Sequence, residues 1–185
     1  MREDFWKEVN DARKLGESRF WKGAFPEASV LDMNCLMDVN QYLATTTGNN
    51  AFKNNAPLVT PVHGDHRVKP FYTEFISNLN RIDTEIDWNS LFFFSLSDIH
   101  AAFPLHGDTE TVFLIQGYGE VAMVTSSFDN PMKSKIHHMK TGDALLLPPL
   151  NNHKPIPLGP RVTLSLGALP KHHAGEDTMR LNQYQ

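Results

Sequence analysis

His106, Asp108 and Glu110 stand at alternate positions in PLHGDTETVFLIQGYG, the stretch 104–119, just before the apolar run Val112, Phe113, Leu114 and Ile115. Alternate residues of an extended chain share one face, so an imidazole and a carboxylate two apart can address the same small ion. A third ligand has to come from a neighbouring strand. His153 is placed for this, because it follows GDALLLPP at 142–149, a strand-like run closed by a proline turn. Two histidines and one carboxylate on one side of a metal leave the opposite positions open for substrate and oxygen, the arrangement used by non-haem Fe(II) oxygenases.

The elements that must position these groups fall into two halves. The spacing predicts an amphipathic helix over 2–15, with Phe5, Trp6, Val9 and Ala12 near helical intervals and Gly16 ending it. A second helix is predicted over 32–45, with Asp32 as N-cap and Cys35, Leu36, Val39 and Leu43 on one side. A third, over 70–81, starts at Pro70 and carries Phe71, Phe75, Ile76 and Leu79. Between the last two lies one short strand candidate, Leu58, Val59 and Thr60.

From Trp88 onward the period changes. A continuous apolar strand is predicted over 91–96, with further strands over 110–116, 119–125, 135–139, 143–147 and 161–168. Gly117 and Gly119, Asn130-Pro131, Thr141-Gly142 and Leu158-Gly159-Pro160 separate them as turns. Helices followed by closely spaced strands predict a mainly β (α+β) architecture, an antiparallel sandwich or barrel with the N-terminal helices packed on it. The expectation is a single domain over 1–170, with a helical part at 1–85, a β core at 88–169 and a loosely ordered tail at 171–185.

Composition narrows the function classes. A hydrophobic fraction of 41% supports a packed core and argues against a disordered chain. A formal net charge of -4 without a basic block gives no reason to expect a nucleic-acid or membrane partner. The single cysteine, Cys35, cannot close an internal disulfide and reads as a buried small hydrophobe. No apolar run approaches the roughly 20 residues of a membrane span, and the N-terminus lacks a signal-peptide core, so a cytoplasmic location is expected. His63 and His66 flank Asp65 in a polar loop and read as surface groups, as do His172 and His173, while His100, His137 and His138 read as structural.

Residues 90–168 resemble a cupin, the double-stranded β-helix superfamily. Glu110 with Gly117 matches half of the first cupin motif, and Gly142, Pro148 and His153 match the second, with Leu150 where glycine is usual and Pro104 where the first histidine would stand. A closer similarity is to the Jumonji-C-like branch, whose H-x-D, glutamine and glycine fall on His106, Asp108, Gln116 and Gly119. The resemblance implies an Fe(II)- and 2-oxoglutarate-dependent hydroxylase with His106, Asp108 and His153 as catalytic metal ligands, Glu110 being the alternative carboxylate and another divalent metal remaining open. The basic residue that holds 2-oxoglutarate in that branch is replaced by Val121, and the expected substitute is Arg161, with Thr163 on the same strand face adding a hydroxyl. The resemblance also implies a possible homodimer and leaves the substrate, small molecule or protein, open. Val121 keeps two other expectations alive: a metal-binding cupin that uses no 2-oxoglutarate, such as an isomerase, lyase or small-molecule dioxygenase, and a non-catalytic binding module.

Overall fold

The computed structural model describes residues 2–48, 58–61, 65–79, 86–95, 103–126 and 133–170, and for 58–61, 86–95, 169 and 170 it describes the backbone. Helix α1 spans Glu3–Leu15, β1 Arg19–Trp21, a 3-10 turn Pro26–Val30, α2 Met33–Thr46, β2 Leu58–Pro61 and α3 Lys69–Leu79. Seven strands follow: β3 Ile86–Ser95, β4 Thr111–Gln116, β5 Val121–Ser126, β6 Ser134–Met139, β7 Ala144–Leu147, β8 Asn152–Pro157 and β9 Arg161–Pro170.

Local chemistry accounts for the helix ends. Asp32 caps α2 by accepting a hydrogen bond from Cys35 N at 2.9 Å. Gly16, at φ 66, ends α1 in the left-handed conformation, and its N–H finds the α1 carbonyls. Cys35 is buried, and burial pushes its thiol up to about 12, so it packs rather than reacts.

The strands form two antiparallel sheets, a larger one in the order β1-β7-β4-β9-β3-β2 and a smaller one in the order β6-β5-β8. Alternation along the strands sends side chains to two separate cores. Phe113, Ile115, Leu146, Val162 and Leu164 face the helices, where they join Trp6, Val9, Leu36, Phe71 and Phe75. Phe113 is the hub of this layer, stacked on Phe75 at 5.7 Å and meeting Trp6 at 5.6 Å and Phe25 at 5.9 Å. Its truncation to alanine would cost about 3–5 kcal/mol. The opposite face of the large sheet presents Val112, Leu114, Leu145 and Leu147 to Val121, Met123 and Met139. Two antiparallel sheets facing each other, with helices coating the outer face of the larger one, make the mainly β architecture with packed N-terminal helices that the sequence predicts.

Two strands depart from the sequence-based expectation. β1 is a three-residue edge strand paired with β7, too short to show a period. β8 contains Pro155 and Pro157 and has no strand predicted over it, yet it pairs with β5 over Asn152–Pro157. The register explains why prolines are tolerated. His153 turns its backbone N–H and C=O away from β5, toward His106. Pro155 and Pro157, two and four residues on, turn their nitrogens to the same outer side, so no bond to β5 is lost. Leu96 and the segment 171–185 lie outside the described residues.

Candidate metal centre

His106, Asp108 and His153 come together at one end of the space between the sheets, with one ligand atom from each lying within 4.8 Å of the others. Nε2 of His106 is 3.5 Å from Asp108 Oδ1, and Nε2 of His153 is 3.5 Å from Asp108 Oδ2. The two imidazole rings are 4.4 Å apart. Glu110, two residues nearer β4, is not part of this cluster.

Backbone pairing builds the site. His153 opens β8 opposite Thr125 of β5, and a single antiparallel bridge joins it to His106 on its other side. The β8 burial pattern places His153, Pro155 and Pro157 on the inner face with Met123 and Val121. Asp108 is fixed through its carbonyl, which accepts from Leu150 N at 2.7 Å. Gly107, between the two ligands, lies so close to the 150–152 turn that a β-carbon there would sit 3.1 Å from the Leu150 carbonyl carbon and 3.2 Å from Asn152 Oδ1. Leu150 itself has φ 61, the one non-glycine residue with positive φ among those described.

The hydrogen bonds of the two rings set their tautomers. His106 Nδ1 lies 2.8 Å from the Pro104 carbonyl, and His153 Nδ1 lies 3.1 Å from the Asn151 carbonyl. A carbonyl only accepts, so each Nδ1 carries a proton, which leaves Nε2 of each ring, the nitrogen facing Asp108, as the position that can ligate a metal. Burial holds the His153 pKa below its ordinary value and outweighs the pull of the Asp108 carboxylate toward the charged form. Two ring nitrogens and a carboxylate oxygen converge on one point, a donor set that a cation complements. Backbone carbonyls orienting the far ring nitrogen are the usual support of metal-bound histidine. The residues present thus fit a divalent ion bound by nitrogen and oxygen. The Pro104 and Asn151 carbonyls leave no side-chain signal in the sequence, and only the folded turns disclose them.

Arg161 lies deeper in the same interior. Val162, Leu164 and Leu166 face the helices, so Arg161, Thr163 and Ser165 face the smaller sheet. Arg161 is 1% exposed and is among the largest fully buried side chains. Its Nη1 donates to Thr163 Oγ1 at 2.8 Å, and that hydroxyl donates to Gln116 Oε1 at 2.8 Å. Gln116 Nε2 donates in turn to the carbonyls of Tyr118 and Gly119. Thr163 lies two residues further along β9, toward the end where Ala168 pairs with Thr111, so the guanidinium leans toward the metal end. Arg161 Nε and Nη2 have no hydrogen-bond partner among the described residues, and burial alone lowers its pKa to about 10. Val121 also points into this interior and is fully buried, so the branch's usual basic position contributes an apolar wall.

The remaining histidines divide simply. His137 Nε2 lies 3.2 Å from Thr125 Oγ1, and His138 pairs with Glu120 at 2.7 Å. Asp65 is engaged by Arg67, which also reaches Asp38, and His66 is exposed. His63, His100, His172 and His173 lie outside the described residues.

No protein-family model matches the chain, and no curated protein does. Solved structures do. The chain is similar to YcfD, a ribosomal oxygenase from Escherichia coli in complex with cobalt and succinic acid, at 22% identity over 61% of this chain and 31% of that one, with a TM-score of 0.49. The complex of YcfD with cobalt and 2-oxoglutarate gives 22% identity over 61% and 31%, with a TM-score of 0.47. Oxalate decarboxylase from B. subtilis gives 17% identity over 50% of this chain and 23% of that one, with a TM-score of 0.39. The chain thus spans about a third or less of the length of these proteins. Among the described residues, no helix is long and apolar enough to cross a membrane.

Proposed function

We propose that the chain is an Fe(II)- and 2-oxoglutarate-dependent oxygenase in which His106, Asp108 and His153 hold the metal and Arg161, positioned by Thr163, holds the far carboxylate of the cosubstrate. The observation that carries this is Arg161: a buried guanidinium with two unused N–H-bearing nitrogens and no described carboxylate beside it, in the interior that the metal cluster caps. Leaving a charge in that condition is costly, and a carboxylate accepting both free nitrogens supplies what is missing. Fe(II) with 2-oxoglutarate and oxygen supplies the oxidation of an unactivated C–H bond, releasing succinate and carbon dioxide. The protein contributes two histidines oriented by the Pro104 and Asn151 carbonyls, one carboxylate, and a fixed positive charge that selects a dicarboxylate over a monocarboxylate.

Incubating the Fe(II)-loaded chain with 2-oxoglutarate tests this directly. The expected outcome is saturable binding and slow succinate formation even without substrate; absence of both overturns it. A second reading is favoured by Val121, whose apolar side chain stands where the Jumonji-C-like branch carries the lysine or arginine that binds its cosubstrate. On that reading the chain is a metal-binding cupin without cosubstrate, and metal binds with the same affinity whether or not 2-oxoglutarate is present.

A further inference from the structure

Beside the metal cluster the molecule opens a cleft of about 410 Å³, lined by Glu17, Ser18, Thr125, Lys133, Lys135 and Asn151 among others. Two of these residues adjoin the metal cluster. Thr125 stands directly across the ladder from His153, and Asn151 supplies the carbonyl that holds the His153 ring. On the other side Thr125 is paired with Lys135, so His153, Thr125 and Lys135 form one row across the inner face of the small sheet.

The charges of the cleft are unbalanced. Glu17, its one lining carboxylate, is already engaged by Arg19 at 3.4 Å. Lys133 and Lys135 have no carboxylate partner among the described residues. The Lys135 ammonium is close enough to His137, on the same face, to add to burial in disfavouring a protonated ring. One hydroxyl of the wall, Ser18 Oγ, is buried without a hydrogen-bond partner among the described residues and can donate. A wall with two unmatched ammonium groups and a free hydroxyl donor suits a polar anion and repels a cation or an aliphatic chain.

The geometry points to this cleft as the binding site for the acidic group of the substrate, a carboxylate or phosphate that Lys133 and Lys135 hold while the rest of the molecule lies along Thr125 toward the metal. The inference rests on His106, Asp108 and His153 being the metal centre, and the test separates the two. The full chain loaded with zinc is titrated with N-acetyl-aspartate, N-acetyl-O-phosphoserine and neutral N-acetyl-asparagine, following the Thr125 and Ser126 amide signals and the His137 ring by NMR. Saturable shifts with either acid and none with the amide are expected, and the acid that binds more tightly names the source of the anion. The double variant Lys133→Ala, Lys135→Ala should weaken acid binding at least tenfold, and both positions are exposed enough to spare the fold. His106→Ala should lose zinc yet keep the acid. Equal shifts with the neutral amide, or full binding by the double lysine variant, overturn the proposal. Failure of the wild-type chain to take zinc overturns the metal centre and leaves the cleft result readable by itself.

Discussion

His106 and His153 exchange both backbone hydrogen bonds, His106 N to the His153 carbonyl at 3.2 Å and His153 N to the His106 carbonyl at 2.7 Å. Two of the three convergent side chains are therefore registered to each other by main chain, before any ion arrives. Such a paired position allows little independent drift of the two rings, so the site is pre-organised.

Gly107 is the point where that registration is most easily disturbed. Gly107→Ala places a methyl group 3.1 Å from backbone of the 150–152 turn, and the turn must give way by a few tenths of an ångström. The expected loss is about 1–2 kcal/mol of stability, together with about tenfold or more weaker cobalt binding, read from denaturant unfolding and a cobalt absorption titration.

Arg161→Gln should separate stability from ligand binding. The variant removes an uncompensated buried charge, so the ligand-free fold should gain about 1–2 kcal/mol. The same change should weaken 2-oxoglutarate by more than about thirtyfold and leave cobalt affinity intact. Thermal unfolding with and without 2-oxoglutarate on the cobalt-loaded protein reads both effects.

Leu150 holds a left-handed backbone with its side chain 53% exposed, so packing does little to offset the strain. Leu150→Gly should stabilise the fold by about 0.5–1 kcal/mol, seen as a higher urea midpoint with unchanged slope.

The pH response of stability has a testable contribution from His137. Burial, aided by Lys135, lowers its pKa below the ordinary 6.5. The unfolded chain therefore takes up the proton first as pH falls. This contribution is fully present above 6.5 and is lost as pH drops through the folded value. Between about pH 7 and pH 5 the urea midpoint of the wild-type chain should fall more steeply than that of His137→Gln.

Much of the architecture was legible because period and caps agreed. Asp32, Gly16 and the apolar spacing of the first two helices place their ends within a residue or two, and the glycine and proline turns separate the later strands. β8 was hidden because Pro155 and Pro157 argue against a paired strand until register shows that their nitrogens face away from β5. The cluster of His106, Asp108 and His153 could be listed from residue type and spacing. Its tautomers could not, since they depend on two backbone carbonyls. For Arg161 the sequence allowed either a solvent-facing or an inward side chain. Only the sorting of Val162 and Leu164 to the helical layer turns it inward.

Along the edge of β8 away from β5, the backbone positions are those of His153, Pro155 and Pro157. Two of these have no N–H to offer, and the third spends its own on His106. A strand that carries a candidate metal ligand at the border of a small sheet would otherwise template the backbone of another molecule. Here the border gives an incoming strand no donor to grip, which protects the region from edge-to-edge aggregation.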